Sequence, residues 1–458
     1  MPYVDMFDLK PIGIFILHAI SLKLADSLII SYIFSLLCYI IISLLPLIFI
    51  SLIIKIHEHK FFYYTLAFCL GVLFATYMDI FGGKLMPEIY GAFFSCIYIF
   101  LINTTFYVKH KKISRFILGL LMCIACNFKE PFLLMILSSC LIFIRNLKDF
   151  FQKFLIPFLI ACVMGGAFLI SLNLLVPYFE YLNYVIFVHS IVDKQTIFQR
   201  ALCNISNIFF KLNECFKFSG YLFLLILAFP ALNALAKNYP IKNKIKKAVF
   251  NGLKLLLALY IATMGIRSSG IYLPQHNGFF APFIFALIIY FFKNKNYKSI
   301  FKNYYALVIY CNLLLIIFYY PTNLTVLYKK YEFFYNDKPQ EEADYIDAIL
   351  DRINEKTYLY IGNFGFSFYG FTKHSPKGKY VVQYDNWSGE KLPNFYDSME
   401  NNVKLAKLIV FEGFYDKKLR NKIKPLISKN FTKKIPPSLK DIKRPRMDYI
   451  ILYNKSIR

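Results

Sequence analysis

The chain has 458 residues, 58% of them hydrophobic and 19% aromatic, and carries a formal net charge of +26. This composition is too apolar for a protein whose surface faces water, so lipid is expected to be its main solvent. The Lys and Arg residues sit in short clusters between apolar runs rather than along one helix face, a pattern that sets membrane orientation and argues against nucleic acid as a partner.

The first residues, MPYVDMFDLK, are polar and hold Asp5, Asp8 and Lys10. No basic stretch leads into an apolar one there, so no cleavable signal peptide is expected. Residues 11 to 24 (PIGIFILHAISLKL) are apolar but short and interrupted by Pro11, His18 and Lys23. A helix lying at the membrane interface suits them better than a span.

A spanning helix needs roughly 20 apolar residues. Ten stretches approach this: 28–54, 61–78, 87–107, 114–127, 131–144, 154–176, 219–236, 249–265, 279–292 and 304–321. The loops KIHEHK, VKHKKISR, RNLKDFFQK, AKNYPIKNKIKK and KNKNYKSIFK alternate with DIFGGKLMPE, NFKEP and IRSSGIYLPQHN. The first set holds 18 Lys or Arg, while the second, together with residues 1–10 and the 177–218 loop, holds 8. The bias of positive charge toward the cytoplasm puts the first set inside. Residues 1–10, the 177–218 loop and the chain after 322 then face the other way.

From Asp337 the pattern changes. QEEADYIDAILDRINE reads as an amphipathic helix, TYLYIG as a strand, KLAKLIVFEG as another, DKKLRNKIKPLI as a helix and MDYIILYN as a closing strand. Such alternation predicts a small α/β domain outside the membrane. It has no phosphate-binding glycine motif, and Gly362, Gly365 and Gly413 are expected in turns after strands. The expected organisation is an outward loop and juxtamembrane helix over 1–27, a transmembrane domain over 28–321 and a periplasmic α/β domain over 322–458.

Eight of the ten cysteines (38, 69, 96, 123, 126, 140, 162 and 311) lie in apolar runs, where a thiol acts as a small hydrophobe. Cys123 and Cys126 lack the further ligands that a metal site needs, and no metal is expected. Cys203 and Cys215 share one polar loop and could form a disulfide in an oxidising compartment.

Ionisable residues collect on the outward side. Asp5, Asp8 and Lys10 precede the interfacial helix, Asp79 and Glu88 flank the next outward loop, Lys129 and Glu130 follow the fourth span, and Arg267 and His276 follow the eighth. Charges at membrane depth are costly and tend to be functional when they face a cavity, whereas charges in open water serve solubility. The NFKEP turn joins two helices too short to span comfortably, which puts Lys129 and Glu130 below the lipid surface. Lys10 directly precedes Pro11, a residue suited to the first turn of a helix, so its ammonium would be held at the helix start.

These segments carry a resemblance. PYVDMFDLKPIGIFILHAI resembles the first outward loop and juxtamembrane helix of the integral-membrane glycosyltransferases of the C-type fold, above all the bacterial relatives of protein O-mannosyltransferases and aminoarabinose transferases. GGKLMPEIYGAFF is similar to their second loop, CNFKEPFLLMIL to their Lys-Pro turn, and GIYLPQHNGFFAPFIFAL to their late Tyr-rich segment.

The resemblance implies an α-helical polytopic membrane protein of about ten spans. It also implies an inner-membrane enzyme that moves a sugar from a polyprenyl-phosphate donor to an envelope glycan, lipid or protein acceptor at the periplasmic face. Lys10 would hold the donor phosphate, with Lys129, Arg267, Tyr272 and His276 in substrate binding and Asp5, Asp8 and Glu88 as candidate catalytic carboxylates. No cofactor is implied beyond the lipid-linked donor. In the family, a membrane helix and an acidic residue commonly taken as the base precede the segment that opens this chain. An upstream span of about 20 apolar residues followed by an acidic loop is therefore expected in the gene or in close relatives. The competing functions are a transporter or flippase for an envelope lipid or oligosaccharide, for which inverted repeats and mid-membrane charges would be expected, and a non-catalytic envelope assembly protein.

The alternating loops make a direct prediction: a reporter fused after Tyr335 behaves as periplasmic and one fused after Lys244 as cytoplasmic. A cytoplasmic signal from the Tyr335 fusion overturns the orientation.

Overall fold

The computed structural model describes residues 12–25, 29–53, 87–183, 277–293, 338–362, 372–377 and 394–457 except 415, 446 and 448, with isolated positions between 64 and 71 and between 257 and 261. The architecture is mostly helical with one small sheet. The chain divides into two units, one of residues 10–168 and 193–327, the other of 1–9, 169–192 and 328–458.

The helical unit contains α1 (Ile12–Ala25), α2 (Ile29–Ile53), α3 (Pro87–Leu101), α4 (Thr105–Lys109), α5 (Lys111–Phe128), α6 (Phe132–Phe143), most of α7 (Leu147–Ser171) and α9 (Asn277–Lys293). A short helix, α8 (Leu175–Asn183), follows α7 in sequence. Among the described residues, the segments Ile29–Phe49 and Leu147–Ser171 are long and apolar enough to cross a membrane, while Ile12–Ala25, Glu88–Leu101, Phe132–Phe143 and Ala281–Tyr290 are apolar but shorter. The expected stretches 219–236 and 304–321, and most of 61–78 and 249–265, lie outside the described residues.

α3 is the centre of this unit, packed by α2, α5, α6 and α9. Its sequence explains the position, because Gly91, Ala92, Ser95 and Cys96 are small enough to let neighbouring backbones approach. The Phe132 ring of α6 lies where a Cβ on Gly91 would be. Aromatic contacts continue from there: Phe34 stacks on Tyr90 with centroids 5.4 Å apart, and Phe94 stacks on Phe128 at 6.0 Å. The Tyr90 hydroxyl donates to the Ser31 carbonyl at 2.8 Å, tying α3 to the start of α2.

α7 starts earlier than the hydropathy suggests, at Leu147 rather than residue 154. Part of RNLKDFFQK, expected as a loop, therefore forms its first turns. Capping accounts for this: the Asn146 side chain accepts from the Asp149 amide at 2.9 Å, and Asp149 accepts from the Arg145 amide at 3.2 Å. A π-turn covers Phe151–Leu155. Pro157 has no amide to give to the Lys153 carbonyl four residues back. The Tyr98 hydroxyl of α3 donates to that carbonyl instead, and the Cys140 thiol of α6 lies 3.9 Å from it.

The second unit holds α10 (Lys338–Arg352), α11 (Phe395–Leu405) and α12 (Lys417–Asn430). Among the described residues its sheet has five strands, β1 (Thr357–Ile361), β2 (Ser375–Pro376), β3 (Leu408–Phe411), β4 (Phe431–Thr432) and β5 (Ile450–Asn454), in the order β2-β1-β3-β5-β4. β1 runs parallel to β2 and β3, whereas β5 pairs antiparallel with β3 and β4. The segment expected as one strand over KLAKLIVFEG divides, with α11 continuing to Leu405 and the strand starting at Leu408. Ala406, in extended conformation, ends the helix.

Ala343, Ile346, Ile349 and Leu350 of α10 share one core with Tyr358, Tyr360, Val410 and Tyr453 of the sheet. The hydroxyls of Tyr345 and Tyr453 meet at 2.9 Å within it. Asp347 is a buried carboxylate satisfied by the backbone amides of Lys373 and His374, at 2.7 and 3.3 Å, and so fixes β2 beside α10. Gly362 directly follows β1 and Gly413 lies beyond β3, while Gly365 lies outside the described residues.

The contact at Gly91 predicts that Gly91→Ala destabilises the helical unit by about 1–3 kcal/mol, through overpacking against Phe132. Gly166→Ala, where an added Cβ meets nothing within 4 Å, serves as the control. It is expected to gain up to about 1 kcal/mol from helix propensity. Unfolding midpoints of the two variants in detergent decide the matter, and equal midpoints refute the packing argument.

Candidate functional site

Two of the candidate residues come together at one end of the helical unit. Glu88 lies in the first turn of α3, and Lys129 is the C-terminal cap of α5. The Lys129 Nζ atom is 3.6 Å from Glu88 Oε1. Both charges suit their helices, since a carboxylate is favoured at a helix N-terminus and an ammonium at a C-terminus.

The turn between α5 and α6 is built to present Lys129. Lys129 leaves the helix in extended conformation while its amide still donates to the Ala125 carbonyl at 3.1 Å. Its own carbonyl then accepts from the Phe132 amide at 3.2 Å, so α6 begins three residues later behind Pro131. Phe132 is the ring that rests on Gly91, one helical turn from Glu88. The same contact that joins α3 to α6 therefore sets the spacing of carboxylate and ammonium.

α1 closes this end from a third side. A Cβ on Gly13 would lie 2.6 Å from the Asn127 carbonyl oxygen, so α1 rests directly on the last turn of α5. Further along, the Ser31 hydroxyl donates to the Leu17 carbonyl at 3.4 Å, and the Ser31 amide donates to the Ser21 hydroxyl at 3.2 Å. Ser31 also receives the Tyr90 hydroxyl. α1 thus lies across the end where α2 and α3 begin and α5 finishes.

Glu88 is 4% exposed, and its Oε2 atom has no hydrogen-bond partner among the described residues. A buried carboxylate oxygen left open in this way can still accept a hydrogen bond. The Lys129 side chain is 25% exposed, so its ammonium reaches the surface that Glu88 does not. Together they form a carboxylate behind a cation, which suits a ligand with an anionic group and a nearby hydroxyl.

Asp5, Asp8, Lys10, Arg267, Tyr272 and His276 lie outside the described residues. Cys38, Cys96, Cys123, Cys126, Cys140 and Cys162 are free thiols, and Cys203 and Cys215 fall outside the described residues. Among the described residues, no cluster of three or more His, Cys, Asp or Glu side chains could hold a metal ion. The supports of the pair, Gly13, Gly91 and Phe132, were not among the residues expected to matter. A small residue at Gly91 followed by Ser95 one turn later was the available signal. Comparison with protein-family models, curated proteins and solved structures finds no match to this chain.

Removing the cation leaves the Glu88 carboxylate buried without its countercharge. Lys129→Met is therefore expected to cost about 1–3 kcal/mol of stability, and Glu88→Gln with Lys129→Met together less than the sum of the single changes. A double-mutant cycle on unfolding midpoints checks the coupling; strict additivity would show that the pair does not interact.

Proposed function

We propose that the chain is a membrane-embedded glycosyltransferase that uses a polyprenyl-phosphate sugar as donor and works at the outward face of the inner membrane. The observation that carries this reading is the buried Glu88 carboxylate with an open oxygen beside the Lys129 ammonium, at the end crossed by α1. Lys10 immediately precedes this end in sequence, and the resemblance assigns it the donor phosphate.

The surfaces of the helices support a lipid setting. Ile33, Leu37 and Ile40 form an exposed stripe along α2, and Leu159 and Val163 one along α7. Stripes of this kind on helices long enough to span are suited to hydrocarbon rather than water. The helical unit would then be membrane domain, and the shorter apolar helices would cross with their ends held in protein. The α/β unit would lie outside the membrane.

In the reaction the acceptor hydroxyl oxygen bonds to the anomeric carbon as the bond from that carbon to the phosphate oxygen breaks. Polyprenyl phosphate leaves with the electron pair, and the acceptor proton passes to a carboxylate. Cations fixed beside the leaving phosphate stabilise the charge that grows on it. A carboxylate such as Glu88, or Asp5 or Asp8, takes the proton.

The test is transfer from a labelled polyprenyl-phosphate sugar to envelope acceptors by the full-length protein. Lys10→Ala is expected to lower transfer at least tenfold while the helices stay inserted, and Glu88→Gln roughly 100-fold if Glu88 is the base. Lys129→Ala should have the smaller effect on rate. Unchanged transfer with Lys10→Ala and Glu88→Gln rules out these roles.

A further inference from the structure

The opposite end of the helical unit holds a second polar cluster that the proposed reaction does not use. α3, α6 and α9 all finish there, and α7 begins there. Lys293 Nζ donates to the Asn103 side-chain oxygen at 2.8 Å and stands 5.9 Å from the centre of the Phe143 ring. Lys153 Nζ donates to the Phe143 carbonyl at 3.3 Å and pairs with Asp149 at 3.5 Å. Arg145 and Lys153 both repel the charge on Lys293 across this space.

The cations are not balanced. Lys153 pairs with Asp149, whereas Arg115, Arg145 and Lys293 form no ion pair among the described residues. The floor of the cluster has unmet hydrogen-bonding capacity as well. Tyr107 is 6% exposed and its hydroxyl has no hydrogen-bond partner among the described residues, although the Arg115 guanidinium and Asp149 lie near it. Arg115 Nε is likewise buried without a partner among them. Cations that converge here in excess of the carboxylates, beside the buried Arg115 Nε, suit an anion with several acceptor oxygens.

The neighbouring surface says which kind of anion. α7 runs from this cluster as a long apolar helix, and its outer face carries Leu159, 55% exposed, and Val163, 72% exposed, with open space around Gly166. A cluster of cations at the start of a long apolar helix with an exposed face fits an amphiphile, with its phosphate in the cluster and its chains along α7.

We propose that the cluster formed by Arg145, Lys153 and Lys293 over Tyr107 is a headgroup site for an anionic phospholipid. The ligand is a phosphodiester of the leaflet opposite the Glu88–Lys129 end. The lipid stabilises the meeting point of α3, α6, α7 and α9 by supplying the countercharge that the chain lacks. The proposal rests on the membrane setting of the helical unit, but not on glycosyl transfer.

The experiment compares full-length protein in vesicles of phosphatidylcholine alone and in vesicles with phosphatidylglycerol added. Phosphatidylglycerol is expected to raise the unfolding midpoint by several degrees. The double variant Arg145→Gln with Lys293→Gln should lose most of that shift, while Lys293→Arg, which keeps the charge, should retain it. Equal midpoints in both vesicles, or a full shift in the double variant, overturn the headgroup site. Inorganic phosphate producing the same shift in phosphatidylcholine vesicles also overturns it, because the anion would then be a soluble one. Flotation after an alkaline wash keeps the two levels apart: protein that fails to float in either vesicle removes the membrane setting itself, whereas protein that floats but ignores phosphatidylglycerol removes only the site.

Discussion

The helical unit depends on how closely α3 and α6 can approach. At Gly91 there is no side chain, and the Phe132 ring occupies the space one would need. That contact sits between the helix start that carries Glu88 and the turn that carries Lys129, so core packing and site geometry are one constraint. The energetics favour such an arrangement. An ion pair near an apolar core gains little net stability from its charges alone, because desolvation offsets much of the attraction. The aromatic layer of Tyr90, Phe94, Phe128 and Phe132 provides the attraction that holds the helices, and the charges are carried into place by it.

The two ends of the helical unit differ in how their polar groups are satisfied. At the Glu88 end the Glu88 carboxylate faces the Lys129 ammonium, and its Oε2 atom has no hydrogen-bond partner among the described residues. At the other end Lys153 pairs with Asp149 close to the further cations Arg145 and Lys293, and Lys153 and Asn146 spend their hydrogen-bonding capacity on helix termini. The first arrangement leaves a hydrogen-bond acceptor open. The second can hold an anion but has little to offer as a base. This chemical difference between the ends is independent of any assignment of inside and outside.

Much of the local structure was legible because hydrophobic period and capping residues agree. QEEADYIDAILDR shows its buried stripe of Ala343, Ile346, Ile349 and Leu350 plainly, and TYLYI and IILYN are apolar runs bounded by turn residues. α11 was harder, since Phe395, Met399 and Val403 are buried four residues apart within an otherwise polar stretch, and the apolar run after it draws the eye to the strand alone. The start of α7 was hidden for a similar reason. Hydropathy marks where apolar residues begin, whereas the helix begins where Asn146 and Asp149 satisfy its first amides. At the site, Glu88 and Lys129 could be singled out as charges near apolar helices. Their pairing could not, because it depends on a tertiary contact between residues 91 and 132 that no local pattern encodes.

Pro157 constrains how the helical unit can change. A proline in a helix withholds an amide, and here the orphaned carbonyl of Lys153 is taken up by the hydroxyl of Tyr98 from a different helix. The defect in α7 has become the point at which α7 recognises α3. A lineage that replaced the proline would restore the amide and release the tyrosine from its duty, leaving it free to drift to phenylalanine. One that lost the hydroxyl first would leave that carbonyl to the Cys140 thiol, a weaker donor. The order in which these two positions can change is therefore written into the fold, with the proline the one that has to go first.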